Sequence, residues 1–260
     1  MDAFRKSRDS APQGFFATEA AGLRWLVVDG GPRVASVLDV GPGHLDLERV
    51  APGAADAHAA RDLGRRLAVL HEAGAPAFGA LPPGADAGWF GPLDDPLEMV
   101  SGSWTDWPTF YADARLRPVL AQGRRRGIFG PDDEAAFERV CERLPDLAGP
   151  AEPPARVHGD LWSGNVLWSE SAGVPEAVLI DPAAHGGHRE ADLAMLALFG
   201  APHLDAILAG YTEVHPLGPG AQERVPLHQL YPLAVHAVLF GGGYVDATRR
   251  SLTELADLAA

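Results

Sequence analysis

The run Val157-His158-Gly159-Asp160-Leu161-Trp162-Ser163-Gly164-Asn165-Val166-Leu167-Trp168, with Val178-Leu179-Ile180-Asp181-Pro182 shortly after it, decides how this chain is read. His158-Gly159-Asp160 forms a turn that presents a carboxylate, and Asn165 follows five positions after Asp160 with a second oxygen ligand. Val166-Leu167-Trp168 is short and apolar and predicts a strand. Residues 169–175 are polar and turn-rich, so a hairpin is expected there. Ala177-Val178-Leu179-Ile180 predicts the partner strand, which ends directly on Asp181. Asp160, Asn165 and Asp181 are thereby carried to one end of a hairpin. Two carboxylates and an amide oxygen converging there suit Mg²⁺ and a phosphate chain.

Phosphoryl transfer asks little covalent chemistry of a protein. It asks for metal placement, charge neutralisation and an oriented nucleophile. An Asp can accept the proton of an acceptor hydroxyl, while an Asn and a second Asp hold the metal. In protein kinases the base and the metal-binding Asn are five positions apart, in H-R-D-x-x-x-x-N. The step from Asp160 to Asn165 is the same. Asp181 falls where the Asp of D-F-G would stand, although Pro182 and Ala183 follow it.

The segments H-G-D-L-W-S-G-N from His158, I-D-P-A from Ile180 and G-H-R-E-A-D-L-A-M from Gly187 together resemble the fructosamine kinase (ketosamine-3-kinase) family. The resemblance extends more weakly over nearly the whole chain. It implies the α+β, two-lobed protein-kinase-like fold shared with aminoglycoside and choline phosphotransferases. A small antiparallel β lobe is expected over residues 1–50, and a large, mainly helical lobe over residues 51–260. The activity implied is ATP- and Mg²⁺-dependent phosphorylation of the 3-hydroxyl of a ketosamine, free or on a glycated protein lysine. In that reading Asp160 is the general base, Asn165 and Asp181 bind the metal, and Trp162 walls the acceptor site. His158 and Asp192 support the catalytic loop by hydrogen bonding. Gly91-Pro92-Leu93-Asp94 resembles the family segment near the acceptor pocket, which makes Asp94 a candidate contact. His185 stands where many members carry an aromatic residue, so it is a candidate determinant of acceptor preference.

Composition narrows the alternatives. The 260 residues are 47% hydrophobic, enough to bury a substantial core. A formal net charge of −14 argues against nucleic acid or an anionic membrane as partner. The lone cysteine, Cys141, allows no internal disulfide and points to a reducing cytoplasm. No apolar run approaches the ~18 residues of a membrane span. Of the 21 basic residues one is lysine, Lys6. It lies where a kinase-like fold places its phosphate-binding lysine, and Glu19 on the next expected helix can orient it.

Along the chain, residues 3–6 read as the end of a strand and Phe15–Trp25 as a helix. Residues 34–40 and 44–50 read as strands, with backbone groups around Glu48 and Val50 expected to meet the adenine. A helix is expected over residues 54–72, with His71 as a core or capping histidine. Trp104, Trp107, Phe110 and Tyr111 are expected to open a further helix, and Pro131–Leu147 reads as another, with an acidic first turn suited to the helix dipole. Residues 201–211, 226–240 and 247–260 complete the helical set, and Gly241-Gly242-Gly243 stops the second of these. No G-x-S-x-G surrounds Ser163, which rules it out as a hydrolase nucleophile. The spacing of His185, His188, Glu190 and Asp192 lacks the second ligand pair of a zinc site.

Only five residues precede Lys6, which leaves no room for the Gly-rich strand–turn–strand that covers ATP phosphates in kinases. The expectation is a small lobe lacking its first two strands, with weak ATP affinity. Two other readings follow: a kinase of another small alcohol such as an aminoglycoside or choline, and a binding module without turnover.

Overall fold

The computed structural model describes residues 3–171 and 173–258. Near the N-terminus, strands β1 (Ala3–Ser7), β3 (Val37–Gly41) and β4 (His44–Glu48) form an antiparallel sheet in the order β1-β4-β3. Leu45 and Leu47 on the central strand alternate inward with the period-two rule and are buried. Helix α1 (Phe15–Trp25) packs across this sheet through Phe16, Ala20 and Leu23. The short strand β2 (Arg33–Val34) leaves that sheet and pairs in parallel with Val178 and Leu179 of β9 (Val174–Leu179). Residues before position 50 are therefore stitched into the sheet that carries Asp181. The hydrophobic cluster of α1 and β4 runs on without a break into α2 (Ala57–Glu72) and α7 (Leu204–Val214).

Helix α2 starts at Ala57 and not at 54, because Asp56 caps it: its carboxylate accepts the Ala59 N–H at 2.7 Å. Two glycines bring α2 against α7. A Cβ on Gly64 would stand 1.9 Å from the Ile207 carbonyl oxygen, and one on Gly210 1.9 Å from that of Arg61. Strands β5 (Gly88–Phe90) and β6 (Leu97–Met99) form a hairpin on either side of the Gly91-Pro92-Leu93-Asp94 segment. Trp104 lies before the helix it was expected to open. Asp106 caps α3 (Trp107–Tyr111), and a π-helical turn (Ala112–Leu116) leads into α4 (Arg117–Arg125). Helix α5 (Pro131–Leu147) has the expected bounds.

Strand β7 (Ala155–Val157) pairs antiparallel with β10 (His185–Gly187), and β8 (Val166–Ser171) pairs with β9 in the expected hairpin; its residue 172 lies outside the described residues. Helix α6 (Arg189–Phe199) is capped by His188, whose Nδ1 accepts the Glu190 N–H. Helix α7 begins three residues later than read, after His203 in the left-handed region (φ 56°). Helix α8 (Ala221–Phe240) begins five residues before Pro226, so two prolines lie inside it. Gly241 ends it, and α9 (Gly243–Leu258) starts four residues earlier than expected. Residues 259 and 260 lie outside the described residues. Among the described residues no helix is long and apolar enough to cross a membrane.

Two buried ion pairs tie the helical part together. Arg189 grips Glu152 at 2.6 and 2.7 Å, and Arg224 grips Glu190 at 2.6 and 2.9 Å. Burial would raise the Glu190 pKa, but His228 and the Arg224 guanidinium outweigh it and hold it at about 2. Its folded value is depressed, so the stability it supplies is present above the ordinary Glu range and is lost as pH falls towards 2. Glu190→Gln should destabilise by about 3–5 kcal/mol near neutrality, by stranding a buried guanidinium. Denaturant titrations of parent and variant should converge between pH 4.5 and 2. Independently, Gly64→Ala should cost about 1–3 kcal/mol by forcing α2 and α7 apart, measured as a fall of about 2–4 °C in Tm per kcal/mol.

Candidate active site

The catalytic loop leaves β7 at Val157 and turns at Gly159. Gly159 has φ 83°, and a Cβ there would stand 2.2 Å from the Ala183 carbonyl oxygen, so the turn requires glycine. Asp192, on the first turn of α6, holds this loop. Its Oδ2 accepts the His158 N–H at 2.7 Å and its Oδ1 accepts the Gly159 N–H at 2.9 Å. His71 Nε2 stands 3.1 Å from the same Oδ2, and the other ring nitrogen meets the Tyr211 hydroxyl at 2.8 Å. Burial alone would raise the Asp192 pKa. The contact with His71 and the loop N–H donors outweigh it and keep the carboxyl below its ordinary value.

His158 is fully buried and does not line the main cavity. Its Nδ1 accepts the Asp160 N–H at 3.3 Å, which leaves Nε2 as the donor to the Ile180 carbonyl at 2.9 Å. Burial lowers its pKa, consistent with a neutral ring that spans the loop and the end of β9. Burial pushes the Asp160 carboxyl up to about 7, against the lowering effect of its hydrogen bond from Asn165. Asn165 Nδ2 donates to the Asp160 carbonyl at 2.8 Å, to Asp160 Oδ2 at 3.1 Å and to the Asp181 carbonyl at 3.4 Å. With the amide nitrogen so engaged, the side-chain oxygen is the group left for a ligand. Asp181 has φ 55°, one of two non-glycine residues among those described with a positive φ. Such a conformation is unfavourable for Asp and persists where the surrounding structure imposes it.

Lys6 on β1 completes the cluster. Its Nζ lies 2.8 Å from Glu19 Oε1 and 2.7 Å from Asp181 Oδ1. Burial pushes the ammonium down, and the two carboxylates more than offset it, so its pKa is raised. Glu19 is raised by burial, with Lys6 opposing. These groups open onto a cavity of about 340 Å³ lined by Lys6, Glu19, Asp160, Trp162, Asn165 and Asp181. Its donor set is made of hard oxygens, carboxylate and amide, which fits Mg²⁺. Trp162 is 40% exposed and meets Phe199 edge-on at 6.1 Å.

Four expected contacts fall elsewhere. Glu48 does not line the cavity: its carboxylate binds Arg33 at 3.1 Å and accepts the Ser36 N–H. Val50, half-buried just past β4, does not line it either. Asp94 is exposed and ion-paired with Arg8, and its neighbour Leu93 takes the place on the wall. His185 is buried by the β7–β10 pairing, with Nδ1 on the Ala183 carbonyl at 2.8 Å, and lines a separate small cavity behind the loop. Burial lowers its pKa to about 3. The apolar side of the main cavity was missed by the sequence reading. It includes Phe15, Trp89, Leu239 and the 56%-exposed Phe240. The aromatic pair Trp89-Phe90, just before the Gly91-Pro92-Leu93-Asp94 segment, was the available signal. Among the described residues, His188, Glu190 and His228 are the buried set whose ligand atoms come together, but Arg224 holds both oxygens of Glu190.

The sequence matches the fructosamine kinase family over residues 1–258. A "probable ketoamine kinase" of Lactiplantibacillus plantarum is 37% identical over 243 residues, covering 92% of this chain and 81% of that protein. A solved structure from Thermobifida fusca, provisionally named a fructosamine-3-kinase, superposes with a TM-score of 0.89 at 45% identity, covering 98% of this chain and 85% of that one. The choline kinase LicA of Streptococcus pneumoniae shares the fold at 15% identity, with a TM-score of 0.62 over 98% of this chain and 86% of that one. LicA has also been solved in complex with AMP. The two-lobed, α+β protein-kinase-like architecture sits within this kinship. The chain belongs to the fructosamine kinase family and is a phosphotransferase that acts on a sugar alcohol group, with ketoamines as its substrate class.

Proposed function

We propose that the protein transfers the γ-phosphoryl group of Mg·ATP to the 3-hydroxyl of a ketosamine, with Asp160 as general base. The observation that carries this reading is the convergence on one cavity of Asp160, Asn165, Asp181 and the Lys6–Glu19 pair. The AMP complex of LicA, a protein of the same fold, supports nucleotide use.

In this mechanism the substrate hydroxyl lies against Asp160 and gives its proton to the carboxylate as its oxygen bonds to the γ-phosphorus. The bond from that phosphorus to the β–γ bridging oxygen breaks, and ADP leaves. Asn165 fixes the base by donating to its Oδ2. Asp181 and the Asn165 side-chain oxygen would hold Mg²⁺, which supplies charge neutralisation across the phosphates when bound. Lys6 Nζ, held by Glu19, stands beside Asp181 and supplies a second positive charge to the phosphates. Trp162 offers the sugar an aromatic face at the cavity mouth. Free sugar amines and glycated protein lysines both fit an opening rimmed by exposed Trp162 and Phe240.

Asp160→Asn should lower kcat by about 10²–10⁴-fold while leaving the KM for ATP nearly unchanged, measured as ketosamine-dependent ADP release. An Asp160→Asn chain that retains full turnover would overturn the base assignment. Lys6→Met should raise the KM for ATP and lower kcat, whereas Trp162→Ala should act mainly on the KM for the ketosamine. Removing Mg²⁺ with a chelator should abolish turnover and restoring it should recover the rate.

A further inference from the structure

Of the three buried arginines among the described residues, two are matched by carboxylates and one is not. Arg189 and Arg224 are bound by Glu152 and Glu190. Arg115, carried by the π-helical turn at 2% exposure, has no carboxylate within ion-pair distance among the described residues. Its Nη1 donates to the carbonyls of Val100 and Ala114, both at 2.9 Å. Its guanidinium carbon stands 4.6 Å from the Phe110 ring centre and 5.6 Å from that of Tyr231. Nε and Nη2 donate to no acceptor among the described residues. An arginine keeps its charge in any protein environment, and a buried charge is strongly unfavourable unless paired.

Arg115 lines the small cavity behind the catalytic loop, about 50 Å³ in volume. His228 lines it too, almost completely buried. Its Nδ1 has no partner, and its Nε2 lies 3.3 Å from Glu190 without hydrogen-bond alignment. The two carboxylates in this region have no capacity to spare. Asp192 accepts from His158 and Gly159 and contacts His71, and Glu190 is held at both oxygens by Arg224. What remains open at the cavity is positive charge and hydrogen-bond donation. A cation at His188–Glu190–His228 would have to displace Arg224 from Glu190, with Arg115 on the same cavity. One water needs about 10–15 Å³ on this scale, so the space suits an ion with a few waters and excludes a sugar or nucleotide.

We propose that this cavity binds a small monovalent anion of chloride size, held by the Arg115 guanidinium and the His228 ring. The cavity is also lined by Gly159 and Asp192, so an anion there stiffens the loop that carries Asp160. The proposal does not depend on which ketosamine is phosphorylated.

The test is a thermal melt of the full chain in sodium gluconate, with chloride substituted for gluconate at constant ionic strength. Chloride should raise Tm by about 3–6 °C at tenfold excess over its Kd and continue upward with the logarithm of its concentration. Arg115→Met should lose that increment. If this variant does not fold, His228→Phe serves the same purpose, and crystals of the unaltered chain in bromide should show an anomalous peak in the cavity beside Arg115. A Tm indifferent to the anion, a chloride response that the variants retain, or a cavity holding only water or a divalent cation would each overturn the proposal.

Discussion

The structure around the site depends on one buried carboxylate. Asp192 accepts two consecutive backbone N–H groups of the catalytic loop and is itself held by His71 from α2. A buried carboxylate is costly unless its oxygens are used, and here they are. The same contacts join three elements distant in sequence, namely α2, the loop after β7 and α6. Asp160 inherits its position from that junction. Gly159 makes the turn possible, and the neutral His158 ring ties the loop to the end of the strand that presents Asp181.

A second constraint acts from the other side of the cavity. Lys6 bridges Glu19 and Asp181, linking the N-terminal sheet and α1 to the residues that follow β9. The parallel pairing of β2 with β9 and the shared hydrophobic cluster make the same link in backbone and apolar form. The two parts of the active site are thus registered by an ion pair set on a packed core.

Much of the site was legible because its chemistry is local in sequence. Asp160, Asn165 and Asp181 flank one hairpin, β8–β9, whose pairing carries them to the same end. Lys6 and Glu19 were legible through the scarcity of lysine and the order strand then helix. What the sequence did not show was tertiary. Nothing local to Glu48 shows that Arg33 captures its carboxylate, and nothing local to Asp94 shows that Arg8 does the same. His185 was misplaced because its side of the strand is decided by the β7–β10 register. Helix starts were misjudged where a cap overrode the pattern: Asp56 delays α2, whereas α8 tolerates Pro226 and Pro232 in its interior. The apolar wall of Phe15, Trp89, Leu239 and Phe240 comes from three separate segments, α1, β5 and the end of α8, and has no sequence signature of its own.

The central claim is that this cavity delivers phosphate to a ketosamine 3-hydroxyl. Phosphorus–proton correlation NMR on the product formed from Mg·ATP and a fructosamine tests it most directly. The account predicts a single phosphate ester whose phosphorus couples to the proton on C3 of the sugar. Coupling to a proton on another carbon, or no phosphorylated sugar at all, would contradict it.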